Sequence, residues 1–280
     1  MSTPFFSDPL LFTGAGALLA QAGYYALHWT LGGREGKARA AEGFERVLVS
    51  AVLFAVAMSF FAFAALGLSV FLELMPPGAA DRLYITKELV ESLKNSSYAG
   101  YGEAAAEALK RSEAVYHRYF DASVQTLASF YAAVVALGLP PWTQAVSMAV
   151  MNVMGAAAVA ASAVLISGAV YAVAAAMARG WVLLMPLGAV LVTYERTRNL
   201  GALLLAVSVA APLVLAVGAD VAYASAPPRA ITFEILGNPA AVYDVAKSMV
   251  YLGLIAVTLA ALTYAVSRLF DHAGAHFAID

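Results

Sequence analysis

Residues 47–72 contain no charged side chain. Wound as an α-helix at about 1.5 Å per residue, such a run outreaches the roughly 30 Å hydrocarbon core of a bilayer. A globular domain can hide one helix that is apolar all round, but here similar runs recur from end to end. Of the 280 residues, 62% are hydrophobic and 12% charged, and the mean hydropathy is +0.78. Soluble domains are nearer half apolar and a quarter charged. The surplus apolar surface exceeds what one core can cover, so it is expected to face lipid. The fold class that follows is all-α, a polytopic transmembrane helical bundle forming a single membrane domain over residues 1–280. The opening "MSTPFFSDPLLF" lacks the basic region of a secretory signal, so the first apolar stretch is expected to stay as a span.

Seven apolar segments are expected to cross: 10–31, 47–74, 122–139, 143–178, 181–193, 200–219 and 242–268. The fourth, at roughly 50 Å of helix, either tilts or projects beyond the bilayer. The alternative is a division near Ser167-Gly168, with the second half running to Thr193 past a buried Arg179. Basic residues in short loops mark the cytoplasmic side. Arg34, Lys37, Arg39 and Arg46 therefore place the first loop inside, together with the turn at 195–199 and the C-terminus after Arg268. The N-terminus is then outside, as are residues 75–121 and 220–241.

The 75–121 stretch repeats Ile85, Leu89 and Leu93, then Leu109, Ser112, Tyr116 and Phe120, at helical spacing. It reads as an external amphipathic helical hairpin hinged at 96–102, its second helix running into the third span. The apolar faces have three possible covers: each other, the bilayer surface or a partner subunit. Asn95-Ser96-Ser97 is a glycosylation sequon in this external stretch.

Little in the chain points to chemistry. Cysteine is absent, which excludes disulfides, thiolate metal sites and cysteine nucleophiles. His272 and His276 lie one helical turn apart beside Asp271, a spacing able to hold a metal, or else a pair of solvated tail histidines. The hydrolase, metalloprotease and phosphate-loop motifs are missing, so neither an enzyme nor a cofactor is expected. Glu73, Asp220, Asp244 and Lys247 sit at span ends as interfacial anchors, and Arg179 is the charge that lies deepest. Gly155, Ala156, Ala160, Ser162, Gly168, Ala172 and Ala176 allow close helix approach within a bundle or between copies.

The most informative stretch is "LLMPLGAVLVTYERTRNLGALLLA", residues 183–206. Pro186 lacks an N–H and clashes with the carbonyl four residues earlier, so a kink or an end is expected there. Gly188 and Gly201 permit backbones to approach, and Arg196 and Arg198 follow on the cytoplasmic side. The expectation is a kinked helical hairpin whose arginines either anchor it or meet a partner or polyanion.

Pro186, Leu187, Gly188, Thr197, Arg198 and Gly201 match in register a pattern found in CedA-like archaeal polytopic membrane subunits of DNA-transfer systems, relatives of the polytopic channel subunit of type IV secretion systems. The resemblance covers about a tenth of the chain. Val192 stands where that pattern often has arginine, and Glu195-Arg196 where it often has two prolines. The resemblance implies an oligomeric membrane component that conducts DNA and works with a cytoplasmic secretion-type ATPase and small membrane subunits. Arg34, Lys37, Arg39, Arg196 and Arg198 would then lower the cost of phosphate passage. A small-solute or ion transporter, and a structural membrane subunit of a pilus assembly, are the other readings.

Overall fold

The computed structural model describes residues 8–76, 78–96, 100–138, 144–231 and 240–277. Among them are seven α-helices: α1 (Pro9–Leu31), α2 (Gly33–Leu74), α3 (Tyr84–Asn95), α4 (Tyr101–Gly138), α5 (Gln144–Val192), α6 (Arg198–Ser225) and α7 (Ala240–Phe277). One-turn 3-10 helices precede α3 and α6. Five stretches are long and apolar enough to cross a membrane: Pro9–Leu31, Gly33–Leu74, Gly155–Val192, Glu195–Ser225 and Val242–Ala273.

α6 is the axis of the bundle. Its apolar window is 72% buried, against 22–33% in the other four. The reason is its side chains: Ala202, Ala206, Ala210, Ala216, Ala219 and Ala222 are all at or near zero exposure, so neighbours close in on every side. The surrounding helices keep a bare outer face, with Leu19, Phe63, Leu165 and Val257 more than 60% exposed. Those faces are apolar and unpartnered within the chain, which is how a bundle presents itself to lipid.

The expected separation of 143–178 from 181–193 is not found. α5 is one continuous helix of 49 residues, about 74 Å long. Ser167-Gly168 is a packing contact and not a break. The Ser167 hydroxyl donates to the Ala163 carbonyl at 2.6 Å, and the Gly168 surface lies against the Phe120 ring of α4. A continuous helix cannot supply two crossings there, so 143–178 and 181–193 become one; the expected span 122–139, at the end of α4, is also not among the five stretches found in the described residues.

Pro186 does not end α5 either; the helix continues to Val192. A proline frees the carbonyl four residues before it, and in an apolar setting that carbonyl must find another donor. Here the Thr13 hydroxyl of α1 lies 3.0 Å from the Val182 oxygen. The same device recurs at Pro212 inside α6. Its freed carbonyl, Ser208, accepts from the indole N–H of Trp181 at 2.6 Å. The Ser208 carbonyl is thus served by a side chain from a different helix, while the single Thr13 proton is shared among the Val182, Pro9 and Leu10 carbonyls at 3.0, 2.9 and 3.1 Å.

Two buried carboxyl groups fix the α3–α4 segment to the bundle. Asp220 of α6 accepts from the Ile85 and Thr86 amides at 3.1 and 2.7 Å and from the Thr86 hydroxyl at 2.8 Å, capping α3. Asp8 accepts from Leu10 and Leu11 at the start of α1 and from Gly102 at the start of α4, at 2.7, 3.1 and 2.9 Å. One carboxyl therefore serves two helix N-termini, each with orphan N–H groups and a positive dipole end. The apolar faces of α3 and α4 cover the bundle itself: Ile85, Leu89, Leu93, Leu109 and Tyr116 join the main core. Tyr116 donates to the Leu215 carbonyl of α6 and Tyr119 to the carbonyl of Ala226, the residue that caps the end of α6, and burial holds both phenols well above their usual pKa. Asp8→Ala should cost about 2 kcal/mol, one cap at each of two ends. Hydrogen exchange should quicken at Gly102 as much as at Leu10; an unchanged rate at Gly102 would show that the shared cap is not holding α4.

Candidate functional site

The α5–α6 hairpin is closed by its two glycines. A Cβ at Gly201 would stand 2.4 Å from the Val192 nitrogen, 2.7 Å from the Leu191 carbonyl carbon and 2.8 Å from the Gly188 oxygen. A Cβ at Gly188 would meet the Leu205 nitrogen at 2.9 Å. Every one of these neighbours is backbone, so the helices touch main chain to main chain. Val192 is fully buried at this contact and presents nothing outward. Thr197 closes the turn by donating to the Leu191 carbonyl at 2.9 Å, one of the orphan acceptors at the end of α5.

The arginines of the turn part company. Arg196 is exposed. Arg198 Nε lies 3.3 Å from the Asp271 carboxylate near the end of α7, both side chains about three-quarters covered. Neither atom finds hydrogen-bond geometry, so the link is Coulombic. It ties the hairpin to α7 and leaves Arg198 less free than Arg196 to meet a ligand. His272 turns back on α7, its Nδ1 2.7 Å from the Arg268 carbonyl. The side chain of His276 lies outside the described residues.

Tyr194 joins the turn to the first basic cluster. Its hydroxyl is 2.9 Å from that of Tyr25 and within 3.5 Å of the Gln21 amide. The Arg46 guanidinium stands 5.4 Å from the Tyr194 ring centroid and forms a 2.6 Å ion pair with Glu42. Arg34, Lys37 and Arg39 are exposed along the start of α2, Lys37 lying over the Trp29 ring at 5.9 Å. The two basic clusters, at 34–46 and 196–198, therefore share one end of the bundle. The signal missed in the sequence is Tyr194, an aromatic in a turn whose partner could not be named without the fold.

Two other candidates stand elsewhere. The Arg179 side chain is 79% exposed on the outside of the bundle, 3.8 Å from Glu113 of α4, and not buried within it. Asn95 is exposed at the end of α3 and Ser96 is its C-cap, while Ser97 of the sequon lies outside the described residues.

No protein-family model, curated protein or solved structure matches this chain.

Proposed function

We propose that the chain is a channel or scaffold subunit of a DNA-translocation machine related to type IV secretion. The observation that carries the reading is the in-register pattern Pro186-Leu187-Gly188, Thr197-Arg198 and Gly201. It is supported by a basic end at which Arg39 and Arg46 stand beside Tyr194 of the turn bearing Arg196, with Arg34 and Lys37 exposed at the same start of α2. Cations at the mouth of a route offset the cost of bringing phosphates to an apolar bundle. With five crossings, as with seven, the chain ends lie on opposite sides. Basic residues in short loops then put the α1–α2 junction, the α5–α6 turn and the C-terminus in the cytoplasm. The N-terminus and the amphipathic α3–α4 segment are outside, and a cytoplasmic ATPase and small membrane subunits assemble with the chain.

The path does not run through one copy. α6 fills the axis with small apolar side chains, and the acidic or basic residues buried among the described ones are Asp8 and Asp220, both engaged in capping. A conduit for DNA is then formed between copies or with partner subunits. Deleting the gene should abolish DNA transfer between cells. Transfer should return with the wild-type chain and stay at least tenfold reduced with Arg34, Lys37 and Arg196 all changed to glutamine. Undiminished transfer in the deletion strain, where the wild-type strain expresses the protein normally, removes the reading.

A further inference from the structure

Between the ends of α1 and α2 and the α5–α6 turn lies a cavity of about 410 Å³. Tyr24, Tyr25, His28, Arg39, Arg46 and Tyr194 line it. The cavity exists because α2 carries glycine at position 43. A Cβ there would fall 2.1 Å from the Tyr25 ring, so only glycine lets the ring lie against α2 while its hydroxyl reaches Tyr194 at 2.9 Å. Tyr24 packs edge-on to Tyr25 and His28, with ring centroids 5.3 and 4.7 Å apart, and makes the opposite wall.

The lining carries one positive charge in excess. Arg46 is answered by Glu42, which also lines the space, at 2.6 Å. Arg39 has no carboxylate partner among the described residues and is exposed to the cavity mouth. Guanidinium and phenol groups are donors suited to a phosphate oxygen. The rim is of opposite character. Leu27 and Leu31, three residues on from Tyr24 and His28 along α1, are 61% and 82% exposed. A ligand that satisfies both has a phosphate at one end and hydrocarbon at the other. Tyrosine and tryptophan with basic residues, at the end of apolar helices, also mark the depth at which lipid headgroups sit.

We infer that this cavity binds the phosphodiester headgroup of an anionic phospholipid, with Arg39 as its free cation and the acyl chains along Leu27 and Leu31. The inference does not depend on what the protein translocates. It is tested on the full chain purified in detergent, by thermal unfolding and by native mass spectrometry with added lipid. Phosphatidylglycerol should raise Tm by several degrees and remain bound on ionisation, and phosphatidylcholine should do neither. Arg39→Gln, at an exposed position, should fold normally and lose most of the shift, with retained lipid down about tenfold. Arg196→Gln, at the same end but outside the cavity, should keep the wild-type response. Equal shifts from the two lipids, or equal losses in the two variants, would overturn the site. So would a full shift from inorganic phosphate alone, which would make it a free-anion site. A single-stranded oligonucleotide that binds through Arg39 in preference to phosphatidylglycerol would overturn it as well.

Discussion

Gly201→Ala should destabilise the protein by about 3 kcal/mol or more, at the upper end of what overpacking costs. The added methyl meets the Val192 nitrogen, the Leu191 carbonyl carbon and the Gly188 oxygen, all within 2.8 Å. Side chains can rotate away from an intruder, but main chain held in two helices cannot. The strain is therefore relieved by parting α5 from α6 at the turn. That movement would carry Tyr194 away from Tyr25 and Arg46, so loss of stability should come with loss of order at the basic end. Thermal unfolding in detergent measures the first effect, and hydrogen–deuterium labelling of the Tyr194 and Thr197 amides, bonded to the Leu191 and Tyr194 carbonyls, measures the second. A variant with wild-type Tm and unaltered labelling would mean that the helices are not in main-chain contact. Gly180→Ala, where a Cβ meets nothing within 4 Å, is the matched control and should be neutral or slightly stabilising.

Trp181→Phe should cost about 1–3 kcal/mol from the carbonyl it orphans, beyond the smaller loss of packing. The Ser208 oxygen has no backbone donor because Pro212 occupies the place from which one would come. Trp181→Ala should cost more, about 3–5 kcal/mol, since it also empties space beside Phe61, whose ring is 6.3 Å away. The decisive measurement is a cycle. Pro212→Ala restores an N–H in register with the Ser208 carbonyl, so it should recover much of the Trp181→Phe loss while doing little or harm alone. Additive effects would mean that the indole and the proline are unconnected.

This pairing also explains which parts of the fold were legible beforehand. The helices follow from long apolar runs, because a backbone in lipid must bond to itself. The amphipathic faces of α3 and α4 follow from Leu89, Leu93 and Leu109 at helical spacing. The continuity of α5 was not legible. Pro186 reads locally as a breaker, and the hydroxyl that approaches its freed carbonyl comes from Thr13, far away in sequence. Asp220 reads as an anchor at a helix end; that it caps α3 depends on a tertiary contact. The two basic clusters were each visible, but their meeting rests on Tyr194, which obeys no local rule. Arg198, paired with Arg196 in the sequence as a cytoplasmic cation, is set apart by its contact with Asp271.

The cap on α3 has a consequence for the order of assembly. Thr86 and the carboxyl group that holds it are 134 residues apart. At about 5–20 residues per second, synthesis leaves the start of α3 uncapped for roughly 7–27 s after it emerges. During that time its apolar face has α2 beside it but no α6 to close over. The segment between α2 and α5 therefore completes its docking only once α6 has been threaded into the centre. Asp220 acts as a late latch: a chain that stops short of it, or inserts α6 one register out, leaves an amphipathic helix exposed for a quality-control protease to find.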